Sequence, residues 1–166
     1  YQKNREAYAK KVRDSFNSTV DKWTFTSNEA SDFTYDLTTL NISYLCSFVS
    51  VITQVDINQI ESYVRELQED QNLKNHVRQK IVGSQYRWIS DSEVLYGRRL
   101  AWYAFVRARK PNVVVETGID KGLGSCVLAS ALMKNRSEGY SGLYYGVDIN
   151  PQAGMLFSEP YSNYGQ

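Results

Sequence analysis

Residues 113–151 read VVVETGIDKGLGSCVLASALMKNRSEGYSGLYYGVDINP, and this stretch decides the fold. Val113, Val114 and Val115 form a β-branched run without polar alternation. That pattern suits a central strand buried on both faces, as in a parallel sheet. A turn containing Gly118, Gly122 and Gly124 follows, and then an apolar helical segment from Ser125 to Asn135. A loop of Gly and Ser leads to a second strand, Leu143 to Asp148. Strand, turn, helix and strand within about 36 residues make a βαβ unit.

Two acids punctuate this unit. Glu116 ends the first strand and Asp148 ends the second. In a parallel sheet those ends are neighbours, and ligands bind in the crevice outside them. The glycines admit backbone close to a ligand, and the helix that follows presents free amides and a positive dipole end. An acid at the second strand end can accept hydrogen bonds from both hydroxyls of a ribose, which points to a nucleoside-containing ligand.

The turn leaves two nucleoside classes open. A dinucleotide site of the G-x-G-x-x-G kind is absent. TGIDKGLG does match the T-G-x-x-x-G-x-G pattern of short-chain dehydrogenases, and Asp148 suits NAD there. Glu116 speaks against that reading, because an acid beside a pyrophosphate repels it by about 1 kcal/mol or more. S-adenosylmethionine carries no phosphate and is cationic at its amine and sulfonium, so an acid at the first strand end favours it.

VVVETGIDKGLGS resembles the first motif of class I (Rossmann-like) S-adenosylmethionine-dependent methyltransferases, in the variant E-x-G-x-x-x-G-x-S. YYGVDINP resembles their second motif. The likeness is greatest to the small-molecule O-methyltransferase group that includes relatives of cephalosporin hydroxylase. It implies that Glu116, Thr117 and Gly118 line the methionine part of the cofactor. Gly122 allows close approach, Ser125 starts the helix, Asp148 holds the ribose hydroxyls and Ile149 packs on the adenine. Relatives often carry two successive hydroxyl residues where this chain has Gly124 and Ser125. The resemblance implies transfer of a methyl group to an oxygen of a small molecule or sugar. It also implies a seven-stranded sheet in the order 3-2-1-4-5-7-6. Two strands are readable here, so the chain is expected to be a C-terminally incomplete domain whose catalytic residues lie further on. The tail GMLFSEPYSNYGQ reads as the loop leading to strand three.

Upstream the chain reads as helical. Tyr8, Val12, Phe16, Val20 and Trp23 recur at helical spacing, with Lys and Arg on the other face. Residues 24–35 read as a polar loop, and a more apolar helix spans about Asp36 to Gln54. Asp56 opens a third helix as a cap, with Gln59 placed for a capping box. The stripe Ile60, Val64, Leu67 is offset from Leu73, Val77, Ile81, which predicts a bend near Asp70, and Gly83 predicts a stop. Ser90 and Glu93 mark another capping box, opening a helix that ends before Pro111. The organisation expected is α/β: a helical region, 1–85, followed by a partial Rossmann-like domain, 86–166.

Composition narrows the class. A net charge of +1 offers no bulk attraction to nucleic acid or membrane. The longest apolar stretch, near Ile42 to Ile52, is too short to span a bilayer. Two cysteines, Cys46 and Cys126, are too few for a disulfide framework and read as buried thiols. The cytoplasm is the expected compartment. The chain starts at Tyr1 rather than Met, so a fragment or a processed product is expected. Glycosylation-type triplets at Asn17, Asn41 and Asn135 read as chance patterns, no signal peptide accompanying them. His76 reads as a solvated side chain with no metal partners at ligand spacing. Arg98, Arg99, Arg107, Arg109 and Lys110 read as a solvated helix edge, and Trp102, Tyr103 and Phe105 as core. A sheet cut short leaves an apolar edge open, so self-association through that edge or the helical region is expected. A third possibility is a helical interaction module with a degenerate βαβ unit and no ligand.

Overall fold

The computed structural model describes residues 2–26, 36–85, 87 and 94–166, with side chains of the first segment described from 4 to 21. Helix α1, Gln2–Thr26, runs further than its stripe required, and takes in the start of the expected loop. Tyr8, Val12 and Phe16 on its apolar stripe are exposed; the side chain of Trp23 lies outside the described residues.

Helix α2, Thr39–Thr53, begins where the Thr38 hydroxyl accepts from the Asn41 amide. It packs Cys46, Val49 and Thr53 inward, while Leu40, Tyr44, Phe48, Val51 and Ile52 face outward. At 100° per residue those two sets occupy opposite faces, so this helix is apolar on both. Helix α3, Ile57–Glu69, is capped by Asp56, which accepts from the Asn58 amide at 2.9 Å. The second half of the expected capping box is not made, because the Gln59 amide group turns to Ser62 instead. Helix α4, Gln71–Val82, starts at Asp70, whose carboxylate accepts from the Leu73 amide at 3.0 Å. One residue thus closes α3 and opens α4, and the offset stripes Ile60–Val64–Leu67 and Leu73–Val77–Ile81 are both buried. Gly83 does end α4, but with φ −78°, so the stop does not use glycine's left-handed freedom.

The next helix starts later than its sequence suggested. Helix α5 is Arg99–Arg109, and residues 94–96 before it are not helical. Ser90 and Glu93 lie outside the described residues; the chain turns into α5 at Gly97, with φ +51°. The helix ends at Lys110, in the left-handed region, ahead of Pro111. A residue before proline is disfavoured in helical conformation, which fixes this end.

Strand β1, Val113–Thr117, helix α6, Leu123–Ser137, and strand β2, Leu143–Val147, complete the βαβ unit. The strands pair in parallel, with Val113 opposite Leu143 and Thr117 opposite Val147. Gly118 extends the ladder, its amide donating to the Val147 carbonyl at 2.9 Å. Helix α6 begins two residues ahead of the expected Ser125, because Gly122 at φ +93° turns the chain into it. The chain ends beside β2. Gly165 forms a parallel bridge with Tyr144, and the Gln166 amide donates to the Tyr144 carbonyl at 3.1 Å. A 3-10 turn, Tyr161–Tyr164, precedes that bridge.

The expectation that β1 is buried on both faces is not met. Val113 and Val115 are 56% and 61% exposed, and Leu143, Tyr145 and Val147 share their side of the sheet and are also exposed. The register explains this. Odd-numbered residues of both strands point one way, and among the described residues only the other face is covered, by α6. Val114, Glu116 and Tyr144 lie on that covered face. The core is continuous from Cys46 and Val49 of α2 through α3, α4, α5 and α6 to Leu156 and Tyr161 in the tail.

Several polar residues sit deeper than their sequence context implied. Arg107, expected on a solvated edge, is 2% exposed; Arg99 is 7% exposed. Arg107 donates to Glu66 at 2.7 Å, to Glu138 at 2.5 Å and to Asn135, and its guanidinium lies 4.7 Å from the Tyr63 ring centre. Tyr103 adds a hydrogen bond to Glu66 at 2.5 Å. This network joins α3, α5 and the end of α6, and it desolvates a cation whose helix looked like a basic rim. Arg98 and Arg109 are exposed, and Lys110 is half-buried. Asn135 is buried and donates to the Val106 carbonyl, so its triplet is no glycan acceptor in the folded chain. His76 is not a solvated side chain either: its ring meets the tail. Cys46 and Cys126 are buried free thiols. Among the described residues, no helix is long and apolar enough to cross a membrane.

Candidate functional site

The site is the turn between β1 and α6 together with the residues just past β2. Its shape follows from three backbone conformations. Gly118 has φ +74° and Gly122 φ +93°, and Asp120 between them has φ +50° without being glycine. Glycine adopts such angles freely, whereas aspartate pays strain for them. A Cβ at Gly118 would meet nothing within 4 Å, so this backbone faces open space. A Cβ at Gly122 would press on Gly154 at 3.0 Å, so here the absence of a side chain serves internal packing.

Asp148 faces this turn. One carboxylate oxygen accepts from the Asn150 amide at 2.8 Å, the other from the Asp120 amide at 3.0 Å. Those backbone donors hold its carboxyl below the usual aspartate range. A carboxylate offers about four lone-pair positions. The Asn150 and Asp120 amides take one on each oxygen, and the Ile119 and Ile149 backbone adds weaker donation to the same carboxylate. Ile149 beside it is fully exposed. Gly122 gives the first turn of α6 no side-chain cap.

Glu116 lies elsewhere. It is 9% exposed and points under α6, where Oε2 accepts from Ser125 Oγ at 2.8 Å and from the Tyr144 hydroxyl at 2.6 Å. Ser125 is fully buried, so its hydroxyl braces Glu116 rather than facing the crevice. Burial first, and the bond to Glu116 second, raise the Tyr144 hydroxyl well above its ordinary pKa. Burial and the nearby Glu116 push the Cys126 thiol up to about 12, which keeps it protonated and a poor nucleophile. Gly124 belongs to the same packing: a Cβ there would run into Glu116 Oε1 and the Trp102 ring. That contact explains why glycine stands at this position.

The structure therefore brings Gly118, Gly122, Asp148 and Ile149 together around the turn, and sets Glu116 and Ser125 beneath it. Glu116 and exposed Thr117 also border a groove of about 350 Å³ along the free side of β1, walled by Trp102, Phe105, Val114 and Leu128. Two residues escaped the sequence reading. Asp120 is the exposed acid of the turn, 3.1 Å from Lys121 Nζ. Its sequence signal was a polar residue between two turn glycines. Tyr144 completes the Glu116 brace, and its signal was strand parity: it shares the covered face with Val114 and Glu116. Among the described residues, no group of three His, Cys, Asp or Glu is placed to hold a metal ion.

Comparison with family models, with curated proteins and with solved structures gave no match to this chain.

Proposed function

We propose that this chain binds S-adenosylmethionine in the crevice outside the carboxyl ends of β1 and β2, and that it serves methyl transfer to an oxygen of a small molecule or sugar. The observation that carries the reading is the Asp120–Asp148 contact. It sets an ionised carboxylate, oriented by backbone donors, beside an open, positive-φ glycine. A ribose diol needs two acceptor oxygens side by side. The parallel bridge at Gly165 supports the reading too, since it sets the end of the tail beside β2 and so in the order third segment, β2, β1. That is the order with which a Rossmann-like methyltransferase sheet begins.

The residues fit the cofactor in a defined division of labour. Asp148 would hold the ribose and Ile149 would pack on the adenine, while Gly118 would let the methionine part approach the backbone. Glu116 and Ser125 would support the turn from below instead of touching the ligand. The bound sulfonium supplies an already activated methyl group. What the protein must add is alignment of the acceptor, which by itself supplies much of the rate.

The burial of Glu116 also favours keeping a second reading. Because Glu116 points under α6 rather than into the crevice, its charge is set away from a pyrophosphate bound there, so an NAD-binding oxidoreductase of the short-chain dehydrogenase kind stays in play. Asp120 is the acid that stands in the glycine turn itself, and its charge weighs against a phosphate-bearing ligand there. Calorimetric titration with S-adenosylhomocysteine and with NAD separates the readings. Binding of the former supports methyl transfer, and binding of NAD alone overturns it. Binding of neither leaves the helical interaction module as the better account.

A further inference from the structure

Helix α4 reaches the glycine turn through the tail. The His76 ring nitrogen Nε2 lies 2.8 Å from the Leu156 carbonyl oxygen. A carbonyl can only accept, so Nε2 carries the proton and donates. The same ring meets Tyr161 edge-on, with centroids 4.9 Å apart. Leu156 is fully buried, and its own amide donates to the Lys121 carbonyl at 2.9 Å. Two residues earlier, the Gly154 amide donates to the Asp120 carbonyl at 2.7 Å. The tail turn 153–157 therefore grips the glycine turn from the side opposite Asp148, which holds the Asp120 amide. Asp120 is fixed at both its amide and its carbonyl, and a residue strained at φ +50° persists only under such constraint.

We propose that His76 is a positioning residue: through Leu156 it fastens the 153–157 turn, and that turn holds residues 118–122 in the shape that receives the ligand. The geometry makes the helical region part of the binding site without touching the ligand. The effect on ligand affinity rests on the proposed function; the effect on the turn itself does not.

The test uses His76→Phe, which keeps a ring against Tyr161 and removes the donor, and His76→Gln, whose side-chain amide reaches as far as Nε2 and restores it. Amide hydrogen exchange is measured along the whole chain. Loss of one hydrogen bond should speed exchange at Asp120, Gly154 and Leu156 by about tenfold in His76→Phe, with α3 and α5 unchanged, and His76→Gln should return it toward the original rate. If His76→Phe does not fold, Gly154→Ala strains the same turn at φ +82° and should loosen the same amides. Unchanged exchange at Asp120, Gly154 and Leu156 in the variant that folds overturns the proposal, as does uniform acceleration across all helices. S-adenosylhomocysteine affinity is read alongside. A wild-type chain that does not bind it counts against the proposed function alone. A wild-type chain that binds, with His76→Phe binding equally well, counts against the positioning role alone.

Discussion

The Ser125 hydroxyl donates to the Glu116 carboxylate over 2.8 Å, and so ties the end of β1 to the first turn of α6. The Tyr144 hydroxyl joins the same oxygen from β2 and also lies 2.7 Å from Ser125 Oγ. A carboxylate this deep tolerates burial because hydroxyls replace its water. Removing one of them leaves part of that cost uncompensated. Tyr144→Phe and Ser125→Ala should each lower unfolding stability by about 1–3 kcal/mol. Urea denaturation reads this directly, and unchanged midpoints in both variants would contradict the brace.

Gly124 offers a test of opposite sign to the usual one. Replacing glycine by alanine inside a helix ordinarily stabilises by about 1 kcal/mol. Here the new methyl group would meet Glu116 Oε1 and the Trp102 ring. Overpacking of that kind costs about 1–3 kcal/mol, so Gly124→Ala should lower the thermal midpoint rather than raise it. A rise would show that the turn relaxes freely around the methyl.

These residues show where the sequence was readable. The βαβ unit, the bend at Asp70 and the stop before Pro111 follow from local signals: strand composition, a capping acid between offset stripes, and a proline. What escaped was set by contacts distant in sequence. Arg107 sits in an apolar-basic run that looks like a rim, and only the arrival of Glu66 and Glu138 from other helices makes its burial favourable. His76 looked solvated because Leu156 lies 80 residues away. The valine run of β1 promised burial on both faces, yet its outer side is exposed, since composition records what a strand is suited to and not which neighbours it has. At the site, Gly118 and Asp148 were legible as strand-end residues, whereas the inward turn of Glu116 was hidden in the pleat parity that it shares with Val114.

Acid should loosen the Arg107 network in a defined window. The hydrogen bond from Arg107 holds the Glu138 carboxyl at about 2, against its ordinary 4.5. Its contribution to stability is therefore complete above pH 4.5 and is lost as pH falls from there toward 2. The Glu138 side chain is 40% exposed, so solvent keeps the effect modest. Glu138→Gln should flatten the stability profile across that window and leave the profile above it parallel to the wild type. Equal slopes in the two proteins below pH 4.5 would contradict the assignment.

Removing the cation itself is a harsher change. Arg107→Ala takes the cation from Glu66, which is 28% exposed and keeps its Tyr103 hydrogen bond, and takes a donor from Asn135, beside a new void. Loss of one partner of a buried pair costs about 3–5 kcal/mol, and the partial exposure of both acids places this case near the lower end. Guanidinium denaturation should show that loss without a change of ligand preference.

The uncovered side of the sheet should make the chain associate. Val113, Val115 and Val147 are each more than half exposed on one face. Contiguous apolar surface of this kind drives contact between molecules. Sedimentation equilibrium should show average mass rising with concentration, and Val115→Lys combined with Val147→Lys should suppress the rise. A wild-type chain of constant mass would remove this expectation.

The central claim is that Asp148 and the glycine turn form one ligand crevice, and nuclear magnetic resonance tests it residue by residue. Addition of S-adenosylhomocysteine should cause saturable shifts of the Gly118, Asp120, Asp148 and Ile149 amides. Asp148→Asn should weaken them while the fold persists. Shifts confined to the groove along β1, or shifts at the turn with NAD and none with S-adenosylhomocysteine, would contradict it.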